Sequence, residues 1–199
     1  GGSKRDFQMN RGGPVPGSPV TGTFAILNAE LTETLRLPAL LRQLAAGRPL
    51  DLGTPERALD DDWLLELHVN GQWASQPQIA TEQCAAGGPY TVRGYLIAER
   101  FGDDCVIGRT ELQAPTLHLP GWIPRASLRP YAFLDLAHLW VLSDPASSAF
   151  HDKLGSFGLG LRAELFSHLN ADFYVAKPRN STDSTTTSPD LRFRVWAGF

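Results

Sequence analysis

Apolar and polar residues alternate along most of this chain with a period of two. That period marks strands that are apolar on one face. In the first such segment, Thr23 to Thr32, Ala25, Leu27, Ala29 and Leu31 share a face, with Asn28, Glu30 and Thr32 among those opposite. In 63–74, Trp63, Leu65, Leu67, Val69 and Trp73 oppose Glu66, His68, Asn70 and Gln72. Val106, Thr110 and Leu112 oppose Arg109, Glu111 and Gln113. Leu128, Ala132, Leu134 and Leu136 oppose Arg129, Tyr131, Phe133 and Asp135. Phe157, Leu159, Leu161, Ala163 and Leu165 oppose Gly158, Gly160, Arg162 and Glu164. Phe173 and Val175 oppose Asp172 and Tyr174, and Leu191, Phe193, Val195, Ala197 and Phe199 oppose Arg192, Arg194 and Trp196. The pattern predicts about seven strands, most near the ~9–11 residues a tilted strand needs to cross a bilayer.

One segment has a different period. Leu37, Leu40, Leu41 and Leu44, with Pro38 near the start and Gly47 just beyond, predict a short amphipathic helix over 37–47. Residues 1–21, rich in Gly, Pro and Ser, read as an irregular lead-in whose Gly-Gly-Ser start looks like an appended linker. Residues 49–62 read as a loop. Its Asp60-Asp61-Asp62 run is a solvated strand entrance rather than a metal cluster, since consecutive carboxylates do not face one centre.

The polar faces carry full charges of both signs: Arg109, Glu111, Arg129, Asp135, Arg162, Glu164, Arg192 and Arg194. A packed soluble core does not tolerate these; a wet or plugged barrel lumen does. Trp63, Trp73, Trp122, Trp140, Trp196 and Phe199 lie near strand ends, as interfacial girdles require. Long polar connections follow the strands ending near residues 74, 142 and 178, whereas the turn after Leu165 is short. That asymmetry belongs to outer-membrane barrels, and the predicted helix, on the short-turn side, departs from it. The predicted class is therefore all-β: a transmembrane antiparallel β-barrel, or part of one, over residues 22–199, with a long loop at 76–104 folded into the lumen. A soluble sheet with one solvated face would alternate in the same way, so a soluble β-sheet binding module stays open.

Composition narrows the functions. With 18 Lys+Arg against 21 Asp+Glu, a net charge of −3 argues against duplex nucleic acid as a partner. No signal peptide and no run of ~18 apolar residues is visible. There is no nucleophile elbow, phosphate-binding loop or zinc-protease motif, and His68, His118, His138, His151 and His168 lack ligand spacing. No catalytic residue, metal or cofactor is expected.

The long connection carries the most specific signal. Gly87-Gly88-Pro89-Tyr90-Thr91-Val92-Arg93-Gly94-Tyr95 is followed by Glu99, Gly102-Asp103 and a strand with Glu111-Leu112 and Pro115. This resembles the two-partner secretion transporters of the outer membrane, which secrete or activate haemolysins and filamentous adhesins, and which share a superfamily with outer-membrane insertases. Phe133-Leu134-Asp135 is similar to that family's F-x-D-x-G strand motif, with Ala137 in place of the glycine. Residues 155–162, containing Gly158 and Gly160, resemble its next strand, and terminal Phe199 resembles the assembly signal of outer-membrane barrels. The resemblance runs from about Trp63 to Phe199. It implies a barrel of roughly sixteen strands preceded by two periplasmic domains. Seven strands cannot close such a barrel, so the remaining strands and the periplasmic domains are expected as partners, along with lipid and a secreted exoprotein. An insertase remains the alternative within the superfamily.

Chemistry suggests what the motif does. Gly87, Gly88 and Gly94 allow tight turns and close approach to a wall. Arg93 is an always-charged fork suited to a carboxylate, and Asp135, facing inward on a later strand, is its expected partner. The resemblance points to the same pair, and to Val92, Arg93, Gly94 and Tyr95 as the loop anchor. Cys84 and Cys105 bracket the loop. An oxidising compartment favours a bridge between them, the alternative being two separate buried thiols.

Overall fold

The computed structural model describes residues 4–12, 24–47, 62–119, 126–142, 150–166 and 168–198. These contain one helix, α1 (Leu37–Ala45), and eleven strands: β1 (Lys4–Gly12), β2 (Phe24–Arg36), β3 (Leu64–Ala74), β4 (Cys84–Ala86), β5 (Arg100–Gly102), β6 (Asp104–Gln113), β7 (Leu117–His118), β8 (Ser127–Val141), β9 (Phe150–Leu165), β10 (Leu169–Pro178) and β11 (Asp190–Ala197). The main sheet runs β1-β2-β3-β6-β8-β9-β10-β11, with β7 beside β8, and β4-β5 form a separate hairpin. Every neighbouring pair is antiparallel. The sheet is open among the described residues, with β1 and β11 at its edges. No described helix is long and apolar enough to cross a membrane; crossing falls to the strands.

All seven alternating segments lie in this sheet, and its burial is inverted relative to a soluble sandwich. Asp135, Glu111 and Ser156 are buried on one face, while Leu134, Leu136, Phe157, Leu159, Phe173, Val175, Leu191, Phe193 and Val195 are exposed on the other. Leu159 is 69% exposed and Asp135 0%. An apolar outer surface over an inner face that buries charged groups suits hydrocarbon outside and a plugged lumen inside. Phe173 and Phe193, register partners on β10 and β11, stack on that outer face with centroids 6.2 Å apart. Arg192, Arg194 and Trp196 take the opposite face.

Several expectations need correction. The irregular lead-in expected over 1–21 is a strand at 4–12, paired with β2 from Lys4↔Thr32 to Gly12↔Phe24. Its sequence, KRDFQMNRG, has no clear apolar face, so the backbone partners offered by β2 decide its conformation rather than its own pattern. The remaining residues of that expectation lie outside the described ones. The loop expected at 76–104 contains the β4-β5 hairpin, three residues to a strand, too short to register as alternation. Strand β2 runs on to Arg36, against Leu64, and β9 begins at Phe150, taking in residues expected as loop. The helix falls where its apolar spacing places it. Of the acidic run, Asp62 pairs with Arg36 at 3.1 Å, while Asp60 and Asp61 lie outside the described residues.

The connection after β3, the one after β8 and the one after β10 all leave from one end of the sheet. The turn between β9 and β10 leaves from the other.

Candidate functional site

The loop between β3 and β6 folds over the inner face of the sheet. Gly87, Gly88 and Gly94 have φ values of +116°, +96° and +87°, a region that L side chains rarely occupy. Space excludes side chains too. A Cβ on Gly87 would fall 2.3 Å from the Leu96 carbonyl oxygen, and one on Gly94 would fall 3.0 Å from Ala176 Cβ and 3.2 Å from Pro178 Cγ. Thr91 clips the turn: its hydroxyl accepts from the Gly87 N–H at 2.8 Å and donates to the Gly87 carbonyl at 2.9 Å. Beyond it, Val92 and Tyr95 join Ile107, Ala137, Leu139 and Leu154 in the main buried apolar cluster, so the loop is packed against β6, β8 and β9.

That packing sets Arg93, 2% exposed, between two carboxylates on the wall. Its Nε and Nη2 donate to the two oxygens of Asp135, each at 2.7 Å, and its backbone N–H donates to Asp135 Oδ2 at 3.0 Å. Nη1 donates to Glu111 Oε1 at 2.5 Å. Burial alone would lower the guanidinium's pKa, but the hydrogen bonds and charges of Asp135 and Glu111 outweigh it and hold the pKa above its ordinary value. Arg162 on β9 donates to the other Glu111 oxygen at 2.6 Å. Arg109 stands within 3.9 Å of both carboxylates and donates to the Tyr90 carbonyl at 3.2 Å.

Aromatic rings fix the height of this network. The Arg93 guanidinium carbon lies 3.7 Å from the centroid of Phe133, and that of Arg162 lies 4.5 Å from the centroid of Tyr131. Both rings lie over glycines of β9. A Cβ on Gly158 would fall 2.5 Å from Phe133 Cζ, and one on Gly160 would fall 2.1 Å from Tyr131 Cζ. The glycines therefore make room for the rings that the cations stack on. The Tyr131 hydroxyl donates to Asp172 on β10 at 2.7 Å, and Tyr174 meets Phe133 edge-on at 5.9 Å. The Tyr95 hydroxyl reaches the carbonyls of Gly155 and Asn180, at 3.0 and 2.9 Å, and ties the loop to β9 and to the segment after β10.

The base of the loop is held differently. Cys84 and Cys105 form a disulfide, Cα atoms 6.5 Å apart, joining β4 to β6. Beside it lies Asp103, 1% exposed, which pairs with no cation among the described residues. It accepts from the Gln78 N–H at 2.8 Å, the Gln83 amide at 3.0 Å and the Leu142 N–H at 2.6 Å.

The structure thus brings together Arg93 and Asp135, Val92 and Tyr95, Phe133 with Gly158, and the two cysteines, while Gly160 lies under Tyr131 rather than Phe133. Phe199 lies outside the described residues. Sequence reasoning missed Glu111 as the second partner of Arg93, although its inward parity was a signal. It also missed the chemistry of Asp103, which has none until residues far apart in sequence meet around it. Between the loop and β9–β11 lies a cleft of about 410 Å³, whose lining includes five arginines, Arg93, Arg109, Arg162, Arg192 and Arg194, together with Glu111 and Asp172.

Comparison with known proteins bears on what this arrangement is for. The family model described as haemolysin secretion/activation protein ShlB/FhaC/HecB matches residues 50–163, more than half of the chain. The matched span contains Arg93, Glu111, Asp135 and both cysteines. No curated protein matches the chain.

Proposed function

The chain belongs to the haemolysin secretion/activation family of outer-membrane two-partner secretion transporters, and on that premise we propose that it forms part of the wall and the internal loop of a pore that passes an unfolded exoprotein without nucleotide hydrolysis. The observation that carries this reading is the buried fork of Arg93 on Asp135 and Glu111. It holds a long loop against the polar face of strands whose other face is apolar. A loop fixed this way can support a lumen, or occlude it and be displaced.

The charged wall serves the same end. Arg109, Arg162, Arg192 and Arg194 line a polar cleft beside the loop. A polar wall of charged side chains binds a passing chain weakly at many points, which allows it to leave as well as enter. No nucleotide is available outside the cell, so folding of the exoprotein at the surface is the expected driving force. The edges at β1 and β11, open among the described residues, need partners, because unpaired strand backbone in hydrocarbon costs several kcal/mol per group. Further strands of the transporter would supply them.

An insertase is the second reading. The inverted sheet alone would serve it equally, but the family match favours secretion. The test is secretion of the cognate exoprotein by cells carrying Arg93→Ala in the full transporter. The expected result is a folded, membrane-inserted barrel with secretion reduced at least about tenfold, as for the loss of a buried charge pair. Wild-type secretion from a folded Arg93→Ala barrel would refute the reading.

A further inference from the structure

The outer face of the sheet changes character toward the end that bears the long connections. Along β8 the outward positions run Leu134, Leu136, then His138 and Trp140. Along β9 they run Leu159, Phe157, Gly155, then Lys153 and His151. Along β10 they run Phe173, Val175, then Lys177, and Arg179 follows. Lys153, Lys177 and Arg179 are exposed, and none pairs with a carboxylate among the described residues. The outward carboxylate nearby, Asp104, is occupied by the Ala74 N–H at 2.6 Å.

Lys153 and Arg179 rim a groove of roughly 760 Å³. Its floor is apolar and partly bare: Val69, Val106 and Leu136 beside Gly108, where no atom lies within 4 Å of a Cβ position. The Arg179 backbone is fixed at the rim, its main-chain N–H donating to the Gly155 carbonyl at 2.7 Å. A Cβ on Gly155 would fall 3.5 Å from Arg179 Cδ and 3.3 Å from Leu136 Cδ2, so the Arg179 stem crosses Gly155 beside the apolar floor. His138, the register partner of Lys153, stacks on Trp140 at 3.9 Å and has an Nε2 without a hydrogen-bond partner.

An apolar trough opening at its polar end onto unpaired cations has the shape and charge of a phosphorylated lipid: acyl chain along Val106 and Leu136, phosphate at Lys153 and Arg179. In outer-membrane barrels the long connections face the outside, which places this rim at the outer leaflet. We infer that the groove binds the phosphorylated glycolipid of that leaflet, with Lys153 and Arg179 receiving its phosphate. The site rests on the outer-membrane reading of the sheet but not on the loop or the lumen, since both side chains point away from them.

The experiment uses the full transporter in mild detergent and native mass spectrometry. The probes are lipid A with two phosphates, its dephosphorylated form, and phosphatidylglycerol. The diphosphorylated lipid should bind tightest. Lys153→Gln with Arg179→Gln should weaken it about thirtyfold, the loss of two surface cations, while leaving exoprotein secretion unchanged. Equal affinity in the wild type and the double variant would overturn the proposal, whatever secretion does. So would equal binding of the dephosphorylated lipid by the wild type, which decides the matter alone if the variant does not fold. Tighter binding of phosphatidylglycerol would put the phosphate in the wrong leaflet and also overturn it.

Discussion

Two buried carboxylates hold the same loop, and they do it with different chemistry. At the tip, Asp135 is matched by a cation: Arg93 spends two guanidinium donors and a backbone N–H on it and a third guanidinium donor on Glu111. At the base, Asp103 is satisfied by neutral donors from Gln78, Gln83 and Leu142. A charge pair out of water is strong only while both members are present; losing one leaves the other buried and uncompensated. A carboxylate held by several neutral donors loses its support in smaller steps. The tip is therefore built as a two-state latch and the base as a graded anchor.

The largest effect should come from breaking the latch on one side. Asp135→Asn, or Arg93→Ala, should destabilise the docked loop by ~3–5 kcal/mol, as removal of one partner from a buried pair does. Guanidinium unfolding of the full transporter in micelles measures it. Arg93→Lys should recover little, because an ammonium cannot serve Asp135 and Glu111 as a fork. Next comes the covalent tether. Replacing Cys84 and Cys105, 21 residues apart, with serine should cost ~3 kcal/mol on the loop-entropy account. The base should also become accessible to protease while Arg93 stays docked. Asp103→Ala should cost less, ~1–3 kcal/mol, for the buried Gln78 N–H left without an acceptor, the Leu142 N–H and the Gln83 amide being only partly buried and able to turn to water. If Asp103→Ala proved as costly as Asp135→Asn in the same titration, the contrast between latch and anchor would collapse.

The smallest effect is a pH dependence at a third attachment. Thr182 and Thr185 each donate a hydroxyl to the Glu99 carboxylate, as does the Leu96 N–H, tying the loop to the connection after β10. Burial alone would raise the Glu99 pKa, but these hydrogen bonds and the nearby Arg100 outweigh it and hold it below its ordinary value. A carboxylate depressed in the folded state contributes stability above its free pKa, ~4.3, and loses it as pH falls through the folded value. Proteolysis of the 179–189 connection should therefore be flat from neutral pH down to that range and rise below it. Glu99→Gln should remove the step.

How far the sequence could be read follows the same physics. Alternation located the seven principal strands and their facing, because hydrocarbon on one side and water on the other impose a period of two wherever a strand crosses. The pairing of Arg93 with Asp135 was legible because a fork in a glycine-rich loop needs a carboxylate, Asp135 faces inward, and the resemblance to the family's motifs points to the same two residues. Alternation could not give Asp103, whose donors come from Gln78, Gln83 and Leu142 and converge only after the hairpin and β8 are placed. Nor could it give β1, whose residues carry no apolar face and whose conformation is set by the edge of β2. The purpose of Gly158 and Gly160 was hidden too, since it depends on the rings of Phe133 and Tyr131 arriving from the neighbouring strand.

The central claim is that Arg93 and Asp135 act on the loop as one unit. A double-mutant cycle with Arg93→Met, Asp135→Leu and the combined variant, read by micellar unfolding of the full transporter, tests it most directly. The account predicts that the double variant is less destabilised than the sum of the single variants by more than about 2 kcal/mol, the scale of coupling between close, desolvated charges. Additivity within about 0.5 kcal/mol would contradict it.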